Sequence, residues 1–270
     1  MAKGEQNMSK HSALDTFGRS GNPLIRSDIF ARQSSSLHEK MTLQGAVDKT
    51  GILLFLAVLA AALSWSSESP LMGAVSALGA MVAVISGIAT FGFWFFFIGW
   101  IVKPRPHLAP KTAPIYAVGM GFGIGLMSEQ AEMMFPGIVI QAVSLTFFVA
   151  ASLLFAYKSG IIKPTQNFLL IIFSATVGIF LTYIANLIYS AFTGTSFSFL
   201  TDNGAFGIGI SLFVVAIAAL NLVLDFDIIE QAHEQGAPKY IEWFGAMALV
   251  ATLIWLYIEI LRLLMKLRSR

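Results

Sequence analysis

The residues best suited to chemistry are four acids that follow a long stretch without charge. Residues 205–224 carry no charged side chain, and the next ten positions contain Asp225, Asp227, Glu230 and Glu234. An ionisable side chain at membrane depth costs about 2.5–3.5 kcal/mol on insertion scales and therefore marks a candidate functional site. Apolar spans commonly end on cations at the cytoplasmic side, so this acidic end needs an explanation.

Asp225 and Asp227 face different directions if the stretch NLVLDFDIIEQ continues as a helix. Residues two apart lie about 200° apart around a helix axis. Asn221 then lies one turn before Asp225 on the same face, and Glu230 lies one turn after Asp227. One acid can therefore face the interior of a bundle. The alternative is that both are solvated at the membrane surface.

Glu259 is a third acidic candidate, in the run TLIWLYIEILRLLMKLR. Arg262 follows one turn later, a spacing that allows an ion pair on the helix surface. In the alternative, Glu259 faces the interior and meets an acid of the preceding span. Two carboxylates held close cannot both ionise cheaply, so such a pair would bind a proton or a hard cation. We therefore predict Asp225, Asp227 and Glu259 as pH-sensing groups and transient Ca²⁺ ligands.

Two more charged residues are candidates for accessory roles beside Asn221 and Arg262. Glu129 follows a glycine-rich run and, on the outer side, can attract cations to a pore mouth. A solvated loop acid is the alternative for Glu129. Arg105, in KPRP, can pair with the acids at the cytoplasmic side.

The composition requires that much of the protein surface faces lipid. Hydrophobic residues make up 56% of the 270 residues and charged residues 12%, whereas soluble domains contain about 25% charged residues. About 20 apolar residues in a helix cross a bilayer. Seven runs qualify or nearly qualify: 51–65, 72–102, 113–127, 137–157, 168–192, 205–224 and 241–264. We predict an all-α membrane protein, with about seven transmembrane helices in residues 45–270.

Two of these runs have features of their own. The second run is either one tilted helix or a span followed by a re-entrant piece, because it is unusually long. The third run contains GMGFGIG, whose glycines are spaced for a helix face that a neighbouring helix approaches closely.

The distribution of Lys and Arg predicts the orientation of the chain. They lie mainly in the N-terminal tail and in the loops after the second, fourth and sixth runs, which places the N-terminus in the cytoplasm. Residues 1–44 are polar and are predicted to form a disordered cytoplasmic tail. Seven spans would leave the basic C-terminus outside, against the rule. Either that end is an exception, or the last segment does not cross fully.

Several function classes do not fit the sequence. The chain has no Cys, which excludes disulfides and thiolate chemistry. It lacks the HExxH, GxSxG and P-loop motifs, and its four His lie outside the predicted spans. We therefore expect neither an enzyme nor a resident cofactor. A net charge of +2 gives no indication of nucleic-acid binding.

Four segments resemble the bacterial, Bax-inhibitor-like branch of the transmembrane BAX inhibitor motif proteins. They are MTLQGAVDKTGILL, FPGIVIQAVSLTF, FVVAIAALNLVLDFDIIEQ and WLYIEILRLL, and the resemblance covers about residues 22–270. It implies seven helices, with two three-helix groups around a central C-terminal helix. It also implies a pH-sensitive Ca²⁺ leak in a bacterial plasma membrane, governed by one aspartate on the sixth helix and one on the seventh.

Each of the family's two aspartates has two candidate positions in this chain. The family's Tyr/Phe-Asp pair matches Phe226 and Asp227, but the Thr-Gln that follows it in the family is absent. Matching EQAHEQGAPKYI without a gap favours Asp225 instead. On the seventh helix, LYIE places Glu259 at the aspartate position, which we prefer. An ungapped match would place Thr252 there and leave no second acid.

Residues and resemblance together predict a channel-like protein that leaks Ca²⁺ or a related cation. Deprotonation of an acid pair between the sixth and seventh helices would open it. The alternative is a membrane interaction protein that uses its tail to regulate a partner such as a membrane-bound protease. A proton-coupled transporter is a third reading, although paired broken spans are not seen in the sequence.

Overall fold

A computed structural model describes residues 39–65 and 105–270, together with the single positions 74, 78 and 81. The tail up to residue 38 and nearly all of the second predicted span lie outside the described residues. The helices within these ranges are α1 Leu43–Ser64, α2 Ala109–Met134, α3 Ile138–Lys158, α4 Gln166–Thr193, the short α5 Ser198–Thr201, α6 Ala205–Glu234 and α7 Ile241–Arg268. The described ranges contain no β-strand, and the predicted all-α fold is confirmed.

Five of the described helices are long and apolar enough to cross a membrane: α1, α3, α4, α6 and α7. Large apolar side chains on their outer faces are exposed, such as Phe148 and Phe192. Exposed apolar area on this scale indicates contact with lipid. The third predicted run lies within α2, which has 26 residues but is not among the five. The protein is a multi-pass membrane protein.

The C-terminal helix α7 lies at the centre of the described bundle. Within the most apolar 18-residue stretch of α7, 72% of the residues are buried. The corresponding share in α1, α3 and α4 is 17–28%. It packs against α1, α2, α3 and α6, while α1 pairs with α2, and α3 and α4 pack against α6. The described helices therefore form two groups around a central C-terminal helix, α1 with α2 and α3 and α4 with α6. The predicted third helix of the first group lies outside the described residues.

Glycines on α2 allow α1 to approach closely. A Cβ at Gly121 would lie 2.8 Å from Cβ of Ala60, and one at Gly125 would lie 2.6 Å from the carbonyl oxygen of Ala61. These two glycines are one turn apart and face the same neighbour, as the spacing in GMGFGIG predicts. The contacts also show that α1 and α2 run parallel, because higher numbers on one helix meet higher numbers on the other.

Residues 39–42 form a short segment, here called the strap, that pairs with the turn between α6 and α7. Met41 N donates to the carbonyl of Ala237 at 2.8 Å, and Lys239 N donates to the carbonyl of Glu39 at 2.7 Å. Lys40 and Pro238 form the antiparallel bridge between these two bonds. The folded domain therefore begins earlier than the predicted boundary at residue 44.

The C-terminus lies at the end of the bundle opposite the strap. Arg268 donates to the carbonyl of Pro136 at 2.9 Å and to Oε1 of Gln141 at 3.0 Å. Lys266 Nζ donates to the carbonyl of Gly207, at the start of α6, at 3.2 Å. Since α7 has 28 residues, it is about 42 Å long and extends through the whole bundle. Helix α7 is thus long enough to cross a membrane, and the side on which the C-terminus lies stays a prediction.

Replacing Gly125 with Ala is expected to lower the stability of the bundle. The added methyl would lie against Ser64 Oγ and the Ala61 carbonyl, so α1 and α2 would have to separate. Overpacking of this kind costs about 1–3 kcal/mol, which should lower the thermal unfolding midpoint in detergent micelles. Gly178→Ala in α4 is the matched control, because nothing lies within 4 Å of its added atom. Equal midpoints for the two variants would contradict the close-approach interpretation.

Candidate functional site

Asp225 lies in the interior of the bundle, on a buried polar face of α6. It is 0% exposed, and Asn221, one turn earlier, is 1% exposed. Nδ2 of Asn221 donates to Oγ1 of Thr176 on α4 at 2.8 Å and to the carbonyl of Ile217 at 2.8 Å. Oδ1 of Asn221 accepts no hydrogen bond from the described residues. An acid and an amide oxygen therefore lie one turn apart inside an apolar span.

Asp227 lies on a different face of α6 and belongs to a second polar cluster. Tyr157, in the last turn of α3, bonds through its hydroxyl to Glu230 and lies 3.4 Å from Oδ1 of Asp227. Gln231 Nε2 donates to Oδ2 of Asp227 at 2.6 Å. Asp227, Glu230, Tyr157 and Gln231, here called the tyrosine cluster, bring two carboxylates to a single phenol. Sequence spacing predicted that Asp225 and Asp227 diverge, and the structure confirms this.

Glu259 is buried at 2% exposure and is held by three side chains. Arg262 Nη1 donates to Oε2 at 3.0 Å and to Oε1 at 3.1 Å, and Tyr183 of α4 donates to Oε1 at 2.8 Å. Trp255 Nε1 lies 3.3 Å from the same Oε1. The intrahelical pair of Glu259 with Arg262, one of the two predicted alternatives, is therefore the one that is formed.

The structure does not bring Glu259 to either aspartate of α6. The two helices are antiparallel, with Gly207 at the level of Lys266 and Ile229 at the level of Gly245. Asp225 therefore lies about ten residues, or ~15 Å, along the axis from Glu259. Thr252, the alternative position for the second acid, is buried at about the level of Asn221. The predicted acid pair between α6 and α7 is not present in this arrangement.

The accessory candidates lie apart from these clusters. Glu129 is half-buried within α2 and is not a loop residue. Its neighbour Glu132 accepts from Val139 N at 3.1 Å and from Gly137 N, and so caps the start of α3. Arg105 is exposed before α2, and it forms no ion pair with the acids of residues 39–65 and 105–270.

A buried acid that sequence reasoning missed lies in the first turn of α7. Glu242 is 1% exposed and forms an ion pair with Lys49 of α1. Its Oε1 also accepts from Thr42 N at 2.8 Å and from Thr42 Oγ1 at 3.3 Å. We call Thr42, Gly45, Lys49 and Glu242 the clasp. The signal in the sequence was an acid among apolar residues in YIEWF and a Lys at the start of an apolar run, although nothing indicated that they meet.

An apolar recess in the described part of the chain lies apart from the acids of α6 and α7. A cavity of about 450 Å³ opens between α1, α3 and α7, with walls formed by side chains such as Ala57, Val143 and Leu253. Its buried polar contact is the 2.6 Å hydrogen bond between Ser128 and Tyr257. Such a surface does not stabilise a cation. In the described part of the chain, no three His, Asp or Glu residues converge as a metal site.

Comparison with protein families matches residues 22–269 to the family described as Bax inhibitor 1 like. The chain belongs to the Bax inhibitor 1 like family. Comparisons with curated proteins and with solved structures found no match. Family membership confirms the resemblance at the level of the family, over nearly the same residues. It agrees with a membrane bundle of apolar helices.

Removing the cation beside Glu259 is expected to destabilise this family member. Arg262→Met leaves a buried carboxylate with two uncharged donors. We expect a loss of about 1–3 kcal/mol, below the 3–5 kcal/mol of fully buried pairs, because the Arg262 side chain is 36% exposed. Adding Glu259→Gln should recover part of the loss in the thermal unfolding midpoint. Arg270→Met, which removes an exposed cation just after the same helix, is the control. Strictly additive effects of the two substitutions would contradict the pairing.

Proposed function

We propose that the protein is a pH-sensitive cation leak, with Ca²⁺ as the permeant ion. The observation that carries this proposal is the buried polar face of α6, where Asp225 is 0% exposed one turn from Asn221. Carboxylate and amide oxygens are the ligands that hard cations prefer. An ionisable residue at membrane depth is most often kept for transport of an ion or a proton. Asp225 and Asn221 would act as transient oxygen ligands along the path.

The pH response is proposed to arise in the tyrosine cluster. A phenol carries one hydrogen, so Tyr157 can donate to Glu230 or to Asp227 but not to both. When both acids are ionised they repel each other, and the contact between α3 and α6 weakens. A proton shared between the carboxylates relieves the repulsion and restores the contact. Deprotonation would therefore favour the open state, and protonation the closed state.

Glu259 has a different role in this proposal. Its carboxylate is adjacent to Arg262 and accepts from Tyr183 at 2.8 Å, so a cation already compensates its charge. We propose that Glu259 fixes α7 against α4 and is not part of the gating pair. This replaces the acid pair between the two last helices with a pair on α6 that Tyr157 of α3 bridges.

The location and orientation of the protein belong to the same proposal. We place it in a bacterial plasma membrane with the strap end in the cytoplasm, which the distribution of Lys and Arg supports. We also propose transport and not catalysis, without a resident cofactor. The alternative, regulation of a membrane-bound protease through the tail, stays a prediction.

Calcium flux into liposomes, scanned from acidic to alkaline pH, tests this function. The wild type should leak more as pH rises. Asp225→Asn should lower the flux at every pH, by about tenfold if the carboxylate stabilises the ion by ~1.4 kcal/mol. Asp227→Asn and Glu230→Gln should flatten the pH dependence. Asp48→Asn, which neutralises an exposed acid on α1, is the matched control and should behave as wild type.

Two outcomes would contradict the proposal in different ways. Flux no higher than in empty liposomes at any pH would exclude a leak by the protein alone. A pH dependence lost in Glu259→Gln but kept in Asp227→Asn and Glu230→Gln would move the sensor to α7 and restore the pair predicted from sequence.

A further inference from the structure

Helix α4 contacts the polar face of α6 through a hydrogen bond between two buried side chains. Nδ2 of Asn221 donates to Oγ1 of Thr176 at 2.8 Å, and both residues are 1% exposed. Thr176 Oγ1 in turn donates to the carbonyl of Ile172, four residues earlier on α4, at 2.8 Å. Because a hydroxyl has a single hydrogen, this second bond leaves Thr176 able only to accept from Asn221.

The orientation of the Asn221 amide follows from its two partners. Nδ2 also donates to the carbonyl of Ile217 at 2.8 Å, and a carbonyl oxygen can only accept. Turning the amide over would place Oδ1 against that carbonyl and against the Thr176 oxygen, whose hydrogen is already used. Both contacts therefore require the nitrogen on this side. The two N–H groups of the amide are engaged, and its oxygen lies on the other side.

The oxygen of this amide accepts no hydrogen bond in the part of the chain that the structure describes. A buried acceptor without a partner costs free energy, whereas a leucine of similar shape at position 221 would bear no such cost. Asp225 lies one turn later on the same face of α6 and is also buried. The bundle thus has a carboxylate and an amide oxygen one turn apart, with both donors of that amide engaged elsewhere.

We propose that Thr176 is a positioning residue for cation binding on α6, because it turns the Asn221 amide so that the oxygen is available to the ion. A carbonyl oxygen is a ligand for hard cations such as Ca²⁺, whereas an N–H group at the same place would repel a cation. Engaging both N–H groups therefore sets the sign of the ion that this face can bind. Thr176 acts through Asn221. The inference deepens the proposed cation leak and rests on it for the identity of the ion.

Thr146 of α3 provides a matched control for Thr176. Its Oγ1 donates to the carbonyl of Ala142 at 2.7 Å, four residues earlier on its own helix, and the residue is also buried. Hydroxyls inside helices often bond in this way. Among the described residues, no side chain of another helix bonds to Thr146. Thr146→Val thus removes a buried hydroxyl and the same local bond as Thr176→Val, but it leaves the Asn221 amide as it is.

Infrared difference spectroscopy of the purified full chain in detergent micelles, recorded on adding Ca²⁺, tests this role. Isotope labelling of the asparagine side-chain carbonyl separates its stretching band from the backbone bands, and Asn221→Leu identifies the band of this residue. Coordination of Ca²⁺ by Oδ1 should shift the band, and the Ca²⁺ concentration that gives half of the shift measures the affinity. Thr176→Val should raise that concentration by about fivefold, which corresponds to ~1 kcal/mol, the usual net contribution of one hydrogen bond.

The conservative variant distinguishes positioning from a merely structural role. Thr176→Ser keeps the acceptor and should bind Ca²⁺ as wild type does, and so should Thr146→Val. Thr176→Ala, which also removes the acceptor, is the second variant if Thr176→Val does not fold, as judged by its thermal unfolding midpoint. Wild-type affinity in Thr176→Val or Thr176→Ala would overturn the positioning role. An equal loss of affinity in Thr146→Val would contradict it as well, because that variant leaves the amide in place.

The liposome flux assay separates failure of this inference from failure of the leak. Ca²⁺ flux in the wild type without any shift of the Asn221 band would refute the inference and leave the leak in place. A band shift that depends on Thr176, without flux above that of empty liposomes, would support the cation site and exclude the leak. The absence of both signals would refute both.

Discussion

Buried charge on the central helix is the constraint on which the rest of the structure depends. Helix α7 has Glu242, Glu259 and Lys266 inside the bundle, at 1%, 2% and 5% exposure. Each is met by a group from another helix or its flanking strap: Lys49 and Thr42 at α1, Tyr183 of α4, and the carbonyl of Gly207 in α6. Apolar packing in lipid tolerates many rotations and depths of a helix. These polar contacts are satisfied by one rotation and one depth of α7.

The acids of the bundle differ in the groups that lie next to their carboxylates. Glu242 and Glu259 each have a cation beside the carboxylate, and Glu132 accepts backbone hydrogen bonds at the start of a helix. The acids of α6 have a different setting. Asp227 and Glu230 share a phenol, and Asp225 lies by an amide whose oxygen accepts no bond from the described residues. The described contacts therefore distinguish the two acids of α7, each next to a cation, from the two acids of α6 that share a phenol.

Sequence patterns predicted the parts of the fold that depend on local composition. Apolar runs located α1, α3, α4, α6 and α7, and the spacing of Gly121 and Gly125 predicted the close approach of a helix. Contacts between residues that are far apart in the sequence could not be predicted in the same way. Glu242 and Lys49 are 193 positions apart, and no local spacing in the sequence connects them. The spacing of Glu259 with Arg262 suggested the pair that is formed, but it could not locate Tyr183 as a third partner.

Two cations near the C-terminus form hydrogen bonds with the protein itself. This affects how they should be weighed in the rule that relates Lys and Arg to membrane orientation. Lys266 is hydrogen-bonded to the carbonyl of Gly207, and Arg268 to that of Pro136 and the amide of Gln141. Cations near a helix C-terminus are stabilised by its dipole and by peptide oxygens. Such cations are engaged by the protein itself and have less capacity left for anionic lipid headgroups. The positive charge at this end is therefore taken up in part by oxygens of the bundle itself, at the end opposite the strap.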